Sequence, residues 1–121
     1  MSEWDIKDSG ERQDFGTGAV RDTQEGKGRF DLLPWRTIWD FAKWFEAGCK
    51  KYGSRNWEQG IPISRYTDSA FRHLAKFVIG EKDENHLIAC LWNVACCYDT
   101  ILRVKAGMLP KELIDLPGHE I

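Results

Sequence analysis

The sequence predicts an all-α fold in which one helix precedes a helical hairpin and an irregular arm leads in at the N-terminus. Three observations predict it. Apolar residues recur at helical spacing in three stretches between Trp35 and Lys105. Breakers at Gly53, Gly60, Pro62, Gly80, Gly107 and Pro110 separate or end those stretches. No segment shows the alternation of a convincing strand, and no internal repeat is visible. With 121 residues and 42% hydrophobic content, the chain has material for one core.

Residues 1–30 are polar and punctuated by Gly10, Gly16, Gly18, Gly26 and Gly28, which predicts a flexible arm. Arg21, Lys27 and Arg29 sit there beside glycine, an arrangement that either cradles a phosphate or remains a solvated loop. The helical domain is expected over 31–106. Pro34 suits a helix start, and Ile38, Phe41, Ala42, Phe45, Cys49 and Tyr52 mark one apolar face, so a first helix runs over roughly 35–52. Gly53 follows Lys50 and Lys51 as its C-cap. The connection to Pro62 is too rich in breakers to be regular and exposes Arg55, Asn56 and Trp57.

Ser64 is the expected N-cap of a second helix with Tyr66, Ala70, Phe71, Leu74, Phe77 and Val78 on its apolar face and Gly80 at its end. Asp83 is the expected cap of a third, whose apolar positions Leu87, Cys90, Leu91, Val94, Ala95, Tyr98, Ile101 and Leu102 run on to about Lys105. A connection this short makes the pair antiparallel. Residues 107–121 form a tail in which Leu109, Leu113, Ile114 and Leu116 can clip onto the body.

A net charge of −2 provides no basic field for extended nucleic acid or a membrane surface, so phosphate recognition has to be local. The start MSEWDIKDSG lacks a signal-peptide core, and the longest apolar run falls short of a bilayer span, so a cytoplasmic protein is expected. Cys49, Cys90, Cys96 and Cys97 contain no C-x-x-C pair and read as buried free thiols. The six Trp residues serve a core, a subunit interface or a base platform, and composition does not choose.

The polar residues of the hairpin are its most informative feature. His86 and Asn93, nearly two turns apart, project from one side of the third helix with the small residues Ala89 and Cys90 between them. A turn near Glu81 puts His73 about opposite Cys90 and His86 about opposite Phe77, with Asp83 and Glu84 at the tip. Packed helices lie about 8–10 Å apart, so side chains from both can meet around one ligand. The alternative is a set of interhelical hydrogen bonds, with Asp83 merely capping. Asp68, Arg72 and Lys76 have the spacing of an exposed ion-pair ladder. Glu46, near the apolar edge of the first helix, is either a rim residue or a metal partner.

The ordered motifs Gly18-Ala19-Val20-Arg21-Asp22, Lys27-Gly28-Arg29-Phe30-Asp31, Lys50-Lys51-Tyr52-Gly53, Arg55-Asn56-Trp57, Arg72-His73 and His86-Leu87 through Trp92-Asn93 resemble the phage-associated family called dATP/dGTP diphosphohydrolase, N-terminal domain, over roughly residues 17–103. The resemblance implies a MazG-like helical bundle and cleavage of a purine deoxynucleoside triphosphate, dGTP or dATP, to the monophosphate and pyrophosphate. It implies a magnesium or manganese ion held by Glu46, Asp83, Glu84 and His86, with His73, Glu84 and His86 as catalytic groups. Nucleotide contacts then fall to Arg21, Lys27, Arg29, Trp35, Lys50, Tyr52, Arg55, Asn56, Trp57, Arg72 and Asn93. MazG-type enzymes carry Glu-x-x-Glu and Glu-x-x-Asp pairs on their hairpin, whereas this chain reads His73-Leu74-Ala75-Lys76 and His86-Leu87-Ile88-Ala89. That departure keeps a second reading open, a sponge without metal that sequesters a nucleotide-derived signal. A third is a helical assembly module. A homo-oligomer is expected under all three, with a site that includes residues from two subunits.

Overall fold

The computed structural model describes residues 3–119; Met1, Ser2, Glu120 and Ile121, the ends of the expected arm and tail, lie outside the described residues. The chain divides into two compact units, Met1–Leu33 and Pro34–Ile121.

In the first unit the arm contains strands, contrary to the sequence expectation. β1 (Arg12–Asp14) and β2 (Val20–Asp22) pair antiparallel, with Arg12 opposite Asp22 and Asp14 opposite Val20. Three-residue strands of mostly polar side chains are too short to display alternation. Asp22 anchors the hairpin by accepting from the Ser9 hydroxyl, the Ser9 N–H at 3.0 Å and Lys27 Nζ at 3.1 Å. Those bonds hold its carboxyl far below the usual carboxylate range.

The second unit is all-α. α1 (Trp35–Tyr52) begins after Pro34 and ends where Gly53 donates to the Cys49 carbonyl, with Lys50 and Lys51 in its last turn. α2 (Ile63–Val78) starts differently from the expectation. Ser64 lies inside the helix, and Asp115 from the tail accepts from its N–H and its hydroxyl. A side chain distant in sequence therefore satisfies the free donor of that helix start. α3 (His86–Lys105) is capped by Asn85, whose Oδ1 accepts from Ile88 N–H at 3.1 Å; Asp83 does not cap it. Both hairpin helices end in the same pattern. Gly80 (φ 88°) and Gly107 (φ 75°) turn the chain, and the residue after each donates five residues back, Glu81 to Lys76 and Met108 to Arg103.

Tyr66 and Ala70 are buried as expected, but the rest of the hairpin's buried face differs from the expectation. α3 buries His86, Ala89, Asn93, Cys96, Thr100 and Val104 against Ile63, Tyr66 and Ala70 of α2. Leu87, Leu91, Val94, Tyr98 and Leu102, like Phe71, Leu74, Phe77 and Val78 of α2, stay exposed. α3 is apolar nearly all round, so packing selects the stripe of small residues that lets α2 approach closely. α3 is also long and apolar enough to cross a membrane by length and composition, a match that the apolar run length does not reveal.

A line of rings joins the helices. Phe45 of α1 lies 6.2 Å from Trp92 and 6.4 Å from Trp57, and Trp92 lies 5.9 Å from Tyr66. Trp57 is thus half-buried, with the Arg103 guanidinium 5.5 Å from its ring centre, rather than exposed as its loop suggests. The tail does clip on: a Cβ at Gly60 would meet Leu113 Cδ1 at 3.0 Å and Leu109 Cδ2 at 3.4 Å. All four cysteines are free, but only Cys96 is buried, and Cys49 is exposed.

Candidate functional site

A cleft of about 350 Å³ lies between α1 and the hairpin. From α1 it is lined by Trp44, Ala47, Gly48, Lys51 and Tyr52, and from the hairpin by Ser69, His73, Glu84, Ala89, Trp92 and Asn93. The α1 contribution is one helical stripe, because residues at i, i+3, i+4, i+7 and i+8 share a face. A second cavity of about 330 Å³ is lined by Arg55, Asn56 and Trp57 with Phe45, Cys49 and Ile61. Gly48, Tyr52 and Trp92 line both, so the two adjoin. Each falls in the ~300–1,000 Å³ range of small-molecule sites.

Gly48 marks the junction. A helix-interior glycine costs about 1 kcal/mol relative to alanine, yet a Cβ here would meet nothing within 4 Å. Intramolecular packing does not require glycine at this position; its absent side chain leaves the cleft open.

At the polar end, His73 Nδ1 lies 2.9 Å from His86 Nδ1, and His86 Nε2 lies 2.7 Å from Asp83 Oδ1. The His86 side chain is only 1% exposed, whereas Asp83 is 66% exposed. Their hydrogen bond holds the Asp83 carboxyl below its ordinary range. Burial, opposed by the neighbouring Glu84, pushes the His73 imidazole down. The pairing of His73 with His86, rather than with Cys90, corrects the expected register. α2 continues five residues beyond His73 to Val78, about 7 Å. The seven-residue connection 79–85 therefore runs back along that last turn and a half before α3 begins. Asn93, buried between the helices, donates to the Ala89 carbonyl at 2.8 Å. Lys51 Nζ lies 5.0 Å from the centre of the Tyr52 ring. The adjacent Tyr52 side chain, and more weakly Glu84, hold Lys51 above the usual lysine range.

Of the residues singled out from sequence, Tyr52, His73, Glu84 and Asn93 line the first cleft, and Tyr52, Arg55, Asn56 and Trp57 the second. Arg55 has φ 61°, a backbone conformation uncommon for a non-glycine residue. Lys50 and Trp35 are on α1 but line neither cavity, and Arg72 pairs with Asp68 at 2.7 Å as the ladder reading expects. Arg21, Lys27 and Arg29 belong to the first unit, where Lys27 pairs with Asp22 and Arg29 with Asp31. Glu46 is exposed on α1 and joins no ligand cluster among the described residues. Sequence reasoning missed Trp44, Gly48, Lys51, Ser69 and Trp92. The stripe of Trp44, Ala47, Gly48 and Lys51, about 100° around α1 from its apolar face, was the available signal.

A family model described as dATP/dGTP diphosphohydrolase, N-terminal, matches residues 17–108. The chain belongs to this family. The span matched to the diphosphohydrolase N-terminal family contains all of α1, α2 and α3, and with them every residue lining the two cavities. No curated protein and no solved structure matches the chain.

The resemblance implies a hard cation in a cage of acids, and the residues present do not fit one. Glu84 is the only carboxylate that lines the cleft. The ligand-type atoms that do converge are those of His73, Glu84 and His86, mutually within 4.8 Å, and of Glu81, Asp83 and His86. Two imidazoles and a carboxylate are a poor match for magnesium.

Proposed function

We propose that the second unit binds a purine deoxynucleoside triphosphate across the two adjoining cavities and cleaves it to the monophosphate and pyrophosphate. The cleft carries this reading: a glycine-opened channel with aromatic walls and a polar end formed by Lys51, His73 and Glu84. The triphosphate lies toward His73, Glu84 and Lys51, where the ammonium offsets phosphate charge. The base lies toward Arg55, Asn56 and Trp57, with Tyr52 and Trp92 forming the walls between the ends. Asn93 has a carbonyl oxygen left to turn toward the cleft, because its amide nitrogen is already bonded to Ala89. Cleavage is attack by water on the α-phosphorus, with pyrophosphate leaving and the water proton passing to a base. His73 and Glu84 line the end of the cleft where that transfer takes place, with His86 behind His73.

One observation favours a second reading. With Glu84 as its only carboxylate, the cleft has the features to hold phosphates and a base but little oxygen-ligand chemistry, as a nucleotide-sequestering sponge would. The two readings separate on product analysis. Incubation of dGTP or dATP with the protein and manganese, cobalt or magnesium yields dGMP or dAMP with pyrophosphate if the protein is an enzyme. Nucleotide recovered unaltered after denaturing the protein supports the sponge, and absence of both binding and turnover removes both readings. The cytoplasm is the compartment where such a nucleotide is met.

A further inference from the structure

The polar end of the cleft has donor geometry that phosphate binding alone does not use. We propose that His73 Nδ1, His86 Nδ1 and Glu84 form a binding site for one borderline divalent transition ion of the zinc or cobalt class, with an open coordination position on the cleft side. This goes beyond the nucleotide reading and holds whether or not a nucleotide is turned over.

The hydrogen bonds assign the ring atoms. His86 Nε2 faces the Asp83 carboxylate at 2.7 Å and so carries a hydrogen, which leaves Nδ1 of the neutral ring with a lone pair aimed at His73. A carboxylate on the far nitrogen of an imidazole is the usual support for a metal-bound histidine, since it fixes the tautomer and raises ligand basicity. Two Nδ1 atoms 2.9 Å apart need a hydrogen or a cation between them. Without metal, a proton on one ring fills that role. With metal–nitrogen bonds of about 2.0–2.1 Å at tetrahedral angles, the two nitrogens would stand about 3.3 Å apart. An ion thus takes the place of that hydrogen once the nitrogens open by about 0.4 Å and His73 shifts its hydrogen from Nδ1 to Nε2.

Glu84 completes a three-ligand set, its oxygen within 4.8 Å of a ring nitrogen of each histidine. His73 and Glu84 both line the cleft, so the fourth position opens where a water or a phosphate oxygen can enter. Two nitrogen donors and one oxygen favour zinc or cobalt over magnesium and manganese, which prefer oxygen ligands. The other cluster, Glu81, Asp83 and His86, is the weaker candidate because an ion on His86 Nε2 would break the bond to Asp83 that positions the ring.

The test needs no nucleotide. Protein stripped with a chelator is titrated with cobalt, followed by visible absorption, and with zinc and magnesium, followed by calorimetry. The expected result is one cobalt per chain with the intense visible bands of a four- or five-coordinate ion. Zinc should bind at least about 100-fold more tightly than magnesium. His73→Ala and Glu84→Gln should each weaken zinc binding at least about 10-fold. Asp83→Asn, which leaves the three ligands in place, should weaken it about 10–100-fold through the loss of ring support. Both His73 and Glu84 are incompletely buried, so these variants avoid the folding risk of replacing buried His86. Absence of cobalt bands, equal affinity for magnesium and zinc, unchanged zinc binding in His73→Ala and Glu84→Gln, or a thiolate-to-cobalt charge-transfer band from a cysteine would each overturn the site.

Discussion

The Asp115 carboxylate receives two hydrogen bonds from Ser64, one from the backbone N–H at 2.9 Å and one from the hydroxyl at 2.5 Å, and so ties the tail to the first turn of α2. A carboxylate at a helix N-terminus also suits the positive end of the helix dipole. These bonds hold the Asp115 carboxyl below its ordinary range.

Asp115→Ala should therefore lower the melting temperature at pH 7. With the folded-state value depressed, the stabilisation is fully present above the unfolded value of about 3.9 and fades as pH falls through the folded value. The difference in melting temperature between wild type and variant should be constant from pH 7 to about 5 and shrink below about 4. A difference that grew on acidification would contradict the clip.

Gly48→Ala should stabilise the fold by up to about 1 kcal/mol, because the position is helical and a Cβ meets nothing within 4 Å. Gly48→Phe places a ring in the channel. It should melt within a few degrees of wild type yet lose the protection that dGTP gives against melting. Undiminished protection would move the nucleotide out of this cleft.

A single copy leaves a broad apolar face bare on the outside of the hairpin: Phe71, Val78, Ile79 and Tyr98 are 67–74% exposed and Val94 is 54% exposed. Patches of this kind mark association surfaces. A second copy of the chain is the expected occupant, giving a dimer or tetramer by light scattering at micromolar concentration. The double variant Phe71→Glu, Val94→Glu should shift the protein toward monomer, and a monomeric wild type would remove this expectation.

Burial pushes the Cys96 thiol up to about 12, whereas Cys49 is exposed with its Sγ 3.0 Å from Ser54 Oγ. An alkylating reagent at pH 8 should therefore modify Cys49 in the folded protein and Cys96 only after denaturation, since the thiolate is the reactive form. Modification of Cys96 at a rate matching Cys49 would contradict the packing of α3 against α2.

The parts of the fold legible in the sequence are those governed by local signals. Pro34, Gly53, Gly80 and Gly107 bound their helices through backbone chemistry within a few residues. The start of α2 was not legible, because its partner Asp115 lies 51 residues from Ser64. The buried face of α3 was not legible either, since apolar residues on nearly every side give periodicity nothing to select. For the site, the convergence of His73 and His86 could be read from the hairpin. Their register could not, because it depends on the path of residues 79–85. The α1 stripe through Gly48 was not legible because Trp44, Ala47, Gly48 and Lys51 mix aromatic, small and charged side chains with no common character.

A crystal structure of the protein with an α,β-imido analogue of dGTP and manganese locates the nucleotide outright. The phosphates are expected beside His73, Glu84 and Lys51, with the base across Gly48 toward Arg55 and Asn56. A nucleotide bound elsewhere, with the cleft between α1 and the hairpin left open, would contradict this placement.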